Sequence, residues 1–204
     1  FRGEMDPTHS WLEALPKELV RSRPILCLAY AWFTLWNPPY SSEQAEHWLR
    51  DTERALTAQS QDTDKPDGPD RTMYDLATDH AVTLRAVLAR FRGDAPQTVI
   101  DLSHHALDRL PEDDRGEDNL MLRGLLALNL GRAYLALGDV AAAADDIPQA
   151  LSCYEKSLAH YRALEDDFNP SATLSKLAEM YRLLGQPERA IQAARQSLDQ
   201  HLIP

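Results

Sequence analysis

Two cysteines and seven histidines offer this 204-residue chain its most reactive side chains. Cys27 and Cys153 each lie in apolar helical sequence, with no second Cys or close His. That context excludes a disulfide framework and a zinc knuckle, and both thiols read as inert packing. Asp101 and His105 stand four residues apart, as do Glu43 and His47. On a helix each pair shares a face and could fill two positions around a metal. A third ligand is missing near either pair, so both read as solvated faces and no metal site is expected. The acidic runs Glu112-Asp113-Asp114 and Glu165-Asp166-Asp167 lack the alternating ligands of a calcium loop and suit helix ends. No Ser or Cys occupies a nucleophile elbow with a base in reach, so no catalytic residue is assigned and the chain is not expected to be an enzyme. None of the eight glycines opens a G-x-x-x-x-G-K-[ST] run, so ATP is not expected to bind and no cofactor is implied.

Binding is what remains. Trp32 and Trp36, one helical turn apart, and Trp48 could stack on a sugar, although packing between the first helices is the stronger account. Lys+Arg 21 against Asp+Glu 32 gives a net charge of -11, and no basic run interrupts it. Phosphate backbones require the opposite balance, so direct nucleic-acid binding is not expected. The longest apolar stretch, Ile25 to Trp36, is too short for the roughly 20 residues of a membrane span. No signal-peptide pattern opens the chain, and a cytoplasmic location with no membrane partner follows as the expectation. A start at Phe1 rather than Met points to a piece of a longer polypeptide.

Residues 44% hydrophobic and 26% charged describe a globular chain, and the elements that build it are helical. Strand alternation is nearly absent. Apolar residues recur at helical spacing in Trp11–Val20, Pro24–Trp36, Glu43–Leu56, Met73–Phe91, Pro96–Leu110, Asn119–Leu137, Ile147–Leu164, Ser171–Leu184 and Pro187–Leu202. Glycine and proline punctuate most of the breaks, among them Gly93-Asp94, Gly138-Asp139 and Gly185-Gln186-Pro187. The polar run Thr57–Arg71 is expected to be a flexible loop. Residues 1–56 then hold the N-terminal helices and a first irregular repeat, and 72–204 hold further repeats of one solenoid domain.

Self-similarity carries more weight than any single residue. Leu177, Ala178, Tyr181, Gly185, Ala190, Ala194 and Leu198 fit the tetratricopeptide pattern, in which a small residue lets two helices approach and an aromatic fills the wedge beside it. Leu130, Gly131, Tyr134 and Gly138 repeat the first helix of that unit. Its second helix has two registers, one through Ala143 and Ala150, the other through Ala150, Tyr154 and Leu158. Pro148 favours a helix that starts near it, with an extension at Ala141–Asp146. Weaker units are Leu28, Ala29 and Trp32 with Ala45 and Leu49, and Leu84, Leu88 and Gly93 with Leu102 and Ala106. The expected fold class is all-α, a tetratricopeptide-like right-handed superhelical solenoid of about four antiparallel helix pairs.

The stretch Trp11–Trp32, WLEALPKELVRSRPILCLAYAW, resembles the start of the helical-repeat domain of MalT-like, ATP-dependent LuxR-family transcriptional regulators. Phe91–Gly138, with its Arg-Gly-Asp turn, its Leu-Pro-Glu-Asp-Asp helix end and its Leu-Gly before an aromatic, resembles the next repeats of that family. The resemblance implies a sensor domain whose groove takes a small-molecule inducer or a protein or peptide and so controls multimerisation of a parent regulator, including homo-oligomers. It further implies nucleotide-binding and helix-turn-helix domains outside this sequence. A free-standing repeat scaffold that docks a peptide, with no transcriptional role, is the alternative. In either case the inner face of the repeats belongs to the first helix of each pair. Counted from Leu130, that face takes Leu125, Leu128, Asn129, Arg132 and Leu135; counted from Leu177, it takes Ser175, Lys176, Glu179 and Arg182. The groove site is therefore placed at Asn129, Arg132, Lys176, Glu179 and Arg182. Its cations suit an anionic or hydroxyl-rich ligand or an acidic peptide, though ordinary solvated charge would explain them too.

Overall fold

The computed structural model describes residues 14–61, 69–114, 116–141, 146–163 and 169–201. Among these every regular element is a helix: α1 (Lys17–Ser22), α2 (Pro24–Trp36), α3 (Ser42–Gln61), α4 (Pro69–Arg92), α5 (Pro96–Leu107), α6 (Glu117–Ala141), α7 (Asp146–Ala163), α8 (Asn169–Leu183) and α9 (Pro187–His201). The chain parts between Arg92 and Gly93 into two compact units.

In the first unit α2 packs on α3 and α4, and α3 on α4. Pro24 opens α2 at a position whose N–H would be unbonded in any case. Cys27, Leu28, Ala31 and Leu35 then recur on one face and are buried. They meet Ala45, Leu49 and Leu56 of α3 and Leu84, Val87 and Leu88 of α4 in a core with little exposed surface. The expected Trp11–Val20 helix is interrupted at Leu15-Pro16: Ala14 is helical, and α1 starts anew with Pro16 at its N-cap, where its missing N–H breaks no helical bond; residues 1–13 lie outside the described residues.

The expected loop at Thr57–Arg71 is shorter than its composition indicates. Helix α3 continues to Gln61, with the Thr57 hydroxyl donating to the Glu53 carbonyl at 2.8 Å and Ser60 to the Thr57 carbonyl at 2.8 Å. Both hydroxyls are thus satisfied on the turn behind them, a bonding mode open to Ser and Thr within a helix. Helix α4 resumes at Pro69, and the intervening part of the expected loop, 62–68, lies outside the described residues.

In the second unit α5 packs on α6, α6 on α7, α7 on α8, and α8 on α9. Of the two helices expected to form one weak repeat, Met73–Phe91 falls in α4, which packs on α2 and α3 in the first unit, and Pro96–Leu110 falls in α5, which packs on α6 in the second. Helix α5 stops at Leu107 rather than Leu110, in tight turns where the Leu110 N–H reaches the Leu107 carbonyl at 3.0 Å. Helix α6 is apolar on almost every side, burying Leu120, Leu122, Leu126, Ala127, Leu130 and Ala133, because both α5 and α7 cover it. Its span Glu117–Leu137, 21 residues, is long and apolar enough to cross a membrane by composition, which corrects the expectation that Ile25–Trp36 is the longest apolar stretch; 56% of its most apolar window is buried within the protein. An interior helix meets the same test.

Two of the three expected hairpin glycines do turn the chain. Gly93 has φ 76° and Gly185 φ 68°, a left-handed backbone that a side chain would disfavour. At Gly185 the Gln186 N–H bonds the Tyr181 carbonyl at 2.8 Å and the Gly185 N–H bonds the Arg182 carbonyl at 3.1 Å, a Schellman closure of α8. Gly138, by contrast, lies inside α6, which runs on to Ala141. Of the expected extension at Ala141–Asp146, Ala141 ends α6 and Asp146 starts α7, while 142–145 lie outside the described residues. Pro148 falls in the first turn of α7, where its missing N–H costs little. Burial settles the open register: Ala150, Tyr154 and Leu158 point inward, packed with Leu174, Leu177, Met180 and Tyr181 of α8.

Candidate protein-interaction surface

The second unit is built on close approach of α6 and α7 at two glycines. A Cβ at Gly131 would stand 2.8 Å from Tyr154 Cε1, and one at Gly124 would stand 3.1 Å from Tyr161 Cε1. The backbone of α6 therefore lies directly against two rings of α7, both nearly fully buried. One turn away, the Ser157 hydroxyl donates to the Gly124 carbonyl at 3.0 Å. The next pair repeats this bond: the Ser197 hydroxyl on α9 donates to the Ser171 carbonyl on α8 at 3.0 Å. Gly124 maps to Ser171 by the same step that carries Leu130 to Leu177 and Tyr134 to Tyr181, and Ser157 maps to Ser197 by the step that carries Ala150 to Ala190. Helices α6–α7 and α8–α9 are thus two copies of one unit, down to an individual hydrogen bond.

Residues 128–201 match the tetratricopeptide repeat family model. That segment holds the C-terminal part of α6 together with α7, α8 and α9. No curated protein matches the chain. Tetratricopeptide repeats generally mediate protein or peptide binding, and the fold is typically a non-catalytic scaffold, so the surface of these helices is where function is sought.

The five groove positions fall into three environments. Asn129 is 2% exposed and donates to Ser103 Oγ at 3.0 Å, so it fastens α6 to α5 instead of lining a groove. Leu128 is likewise buried, in the core cluster, and Ser175 Oγ is bonded to Ser197 Oγ at 2.9 Å, toward α9. Lys176 and Glu179 are half-exposed and pair with each other at 2.9 Å, one turn apart. Their charges largely cancel. Arg132 is half-buried, with Nε shielded from solvent and without a hydrogen-bond partner, and Arg182 is exposed near the end of α8. The structure brings Lys176 and Glu179 together; Arg132 and Arg182 remain as the other two cations among the expected groove positions.

Sequence reading missed a polar cluster beside them. Tyr181 donates its hydroxyl to Glu155 Oε1 at 2.9 Å, and Arg189 Nη2 donates to the Tyr181 oxygen at 2.9 Å while its guanidinium lies 4.1 Å from the ring centroid. Burial, then the Glu155 carboxylate, pushes the Tyr181 phenol above its ordinary range, so it stays a neutral donor. The aromatic is visible in the repeat pattern; its partners, on α7 and α9, are not, since their spacing follows no local rule.

The remaining candidates resolve into packing. Tyr30 stacks on Trp48 with centroids 4.6 Å apart, Trp32 stacks on Trp36 at 6.4 Å, and Trp32 meets the His80 ring edge-on at 6.3 Å. His47 pairs with Asp51 at 3.6 Å rather than with Glu43. Asp101 accepts from Gln97 Nε2 at 2.8 Å, and His104 Nε2 lies 3.3 Å from the Tyr134 hydroxyl. Asp114 accepts the Gly116 N–H at 2.8 Å, and Glu112 pairs with Arg123 at 3.6 Å, so that acidic run shapes the α5–α6 turn. No group of three or more metal-ligating side chains gathers among the described residues.

Cys27 is fully buried, with Sγ 3.2 Å from the Val20 carbonyl. Burial, and secondarily the Asp51 charge, pushes its thiol up to about 11. Burial also raises Cys153. Because only the thiolate reacts, Cys27 at pH 8 should be labelled by a maleimide about a hundredfold more slowly than an unfolded cysteine, before its inaccessibility is counted. Stopped-flow labelling with and without urea measures the ratio, and equal rates would contradict this burial. As the folded thiol titrates above the unfolded one, any stability it contributes is intact below pH 9 and lost as pH rises through about 11.

Proposed function

We propose that this chain is the ligand-sensing or protein-interaction domain of a MalT-like, ATP-dependent LuxR-family transcriptional regulator, working in the cytoplasm. Its tetratricopeptide groove takes a small-molecule inducer or a protein or peptide of acidic character. Binding there shifts the parent regulator between resting and multimerising forms, which requires the ligand to favour one form over the other. The observation that carries the reading is Arg132, whose shielded Nε has no hydrogen-bond partner on the first helix of a repeat. A donor held out of solvent without an acceptor favours a ligand that supplies one. The family match and the exposed Arg182 support the same surface. The sequence resemblance supports the regulator.

Calorimetry with acidic peptides, phosphorylated sugars and oligosaccharides tests the groove. Arg132→Ala with Arg182→Ala is expected to weaken the bound member of the panel by about 1–3 kcal/mol per charge-assisted hydrogen bond. Arg182→Ala alone should barely move the melting temperature, because substitutions at exposed positions usually stay within about 0.5 kcal/mol. A ligand whose affinity ignores both arginines would remove the groove from this role. A P-loop and a helix-turn-helix encoded in the surrounding reading frame would separate a regulator from a free-standing scaffold.

A further inference from the structure

A second place for a ligand lies within the first unit, apart from the tetratricopeptide groove. Helix α1 packs on α2 and α3. Where the C-terminal half of α2, the loop after it and the first turns of α3 meet α1, they leave a cavity of about 630 Å³. Cavities that take drug-sized ligands run from about 300 to 1,000 Å³. The fold's own bonds hold the walls. The Asn37 N–H bonds the Phe33 carbonyl at 2.9 Å and the Ser41 N–H returns to the Thr34 carbonyl at 2.9 Å, which fixes the loop where Pro38 and Pro39 line the cavity. The Ser41 hydroxyl accepts the Gln44 N–H at 3.1 Å and sets the start of α3. A ligand therefore meets walls already formed and has little to order on binding.

The lining has two parts. Leu15, Val20, Tyr30, Phe33 and Trp48 make an apolar, aromatic side, with Tyr30 stacked on Trp48 at 4.6 Å. Lys17 brings an ammonium, and Asn37 and Gln44 bring amides. Among the described residues no Asp or Glu lines the cavity, although the chain carries Asp+Glu 32 against Lys+Arg 21. Lys17 is exposed and has no ion pair among the described residues, so its charge is open to a ligand. An aromatic wall beside an unbalanced cation suits a molecule with a flat apolar body and one negative group. Glu43 lines an adjoining cleft that shares Gln44 and Trp48 with the cavity. Its carboxylate repels an anion placed at Trp48, which orients such a ligand with its ring toward Trp48 and its charge toward Lys17.

We propose that this cavity binds a small aromatic carboxylate, its ring packed on the Phe33 and Trp48 side and its carboxylate paired with Lys17. A hollow confined to the corner of three helices favours a compact molecule over an extended peptide. A neutral sugar would leave Lys17 without a counter-charge.

The test titrates the full chain with 2-naphthoate and with its neutral isostere 2-naphthamide. Calorimetry gives the affinities, and the indole N–H resonance of Trp48, assigned with Trp48→Phe, gives the place of binding. Naphthoate is expected to saturate with a dissociation constant below about 1 mM and to shift the Trp48 resonance. The amide should bind about tenfold more weakly, the loss of one charge-assisted hydrogen bond. Lys17→Gln should remove that preference, and Lys17→Glu should turn it toward 2-naphthylmethylammonium. Both substitutions fall on an exposed side chain, so circular dichroism and the melting temperature should stay nearly unchanged. Arg132→Ala with Arg182→Ala should leave the naphthoate affinity as it was, which separates this cavity from the groove. Lack of saturable naphthoate binding up to about 5 mM overturns the proposal. So does binding that ignores both Lys17 variants, or a response confined to α6 and α8. A proline-rich decapeptide that displaces naphthoate and binds more tightly would give the cavity to a peptide and overturn it as well.

Discussion

Tyr154→Ala is expected to lower the stability of the second unit by about 3–5 kcal/mol, the range for removing a fully buried aromatic ring. The ring lies against the backbone of α6 at Gly131 and within the cluster formed with α8, so its loss opens a cavity that three helices border. The glycine gives the sharper measurement. In the native background Gly131→Ala sets a helix-propensity gain of about 1 kcal/mol against an overpacking cost of about 1–3 kcal/mol, because the new methyl would stand 2.8 Å from the ring. The clash wins and the variant is destabilised. With Tyr154→Ala the clash is gone, and Gly131→Ala should stabilise by about 1 kcal/mol. Urea titrations of the four proteins, followed by circular dichroism, measure this change of sign. If Gly131→Ala has the same effect in both backgrounds, the ring does not set the spacing of α6 and α7.

The second large effect is expected in the first unit, at Arg85. Its guanidinium grips Glu53 with bonds of 2.6 Å to each carboxylate oxygen and reaches Glu46 at 2.7 Å, and Arg92 holds the other oxygen of Glu46 at 2.7 Å. Glu46 is 9% exposed, so removal of Arg85 strands carboxylate charge in a poorly solvated place. Glu53 is more open and Arg92 remains, which keeps the cost of Arg85→Ala to about 2–3 kcal/mol, below that of a fully buried pair. A double-mutant cycle with Glu53→Gln should return a coupling of at least about 1 kcal/mol. Lys176→Ala on the exposed Lys176–Glu179 pair, made for comparison, should cost no more than about 0.5 kcal/mol. Equal costs at the two sites would mean that burial does not govern the Arg85 network.

How far the sequence reaches differs from residue to residue. Helical periodicity placed all nine described helices, since burial of one face imposes a 3.6-residue spacing on the sequence wherever it occurs. The Gly185 turn and the Leu177–Tyr181 core pattern were legible for the same local reason, each resting on a few neighbouring residues. Helix ends were less legible. Thr57 and Ser60 look like loop formers until their hydroxyls are seen bonded to the turn behind them, and Gly138 looks like a hairpin although α6 runs through it.

The candidate site depended on facts of another kind. The sequence by itself determined the all-α class and the repeat in the second unit, and the repeat pattern led to the expectation of a groove on the first helix of each pair. It placed Asn129, Arg132, Lys176, Glu179 and Arg182 on that face by counting alone. Only the tertiary structure decided that Asn129 turns inward to Ser103, that Lys176 and Glu179 satisfy one another, and that Arg132 keeps a shielded nitrogen without a partner. It alone joined Glu46 to Arg85, and Tyr181 to Glu155 and Arg189. The reason is physical: helix formation and amphipathic burial are governed by residues within a turn or two of each other, whereas the partner of a polar side chain is set by whichever helix the packing brings beside it.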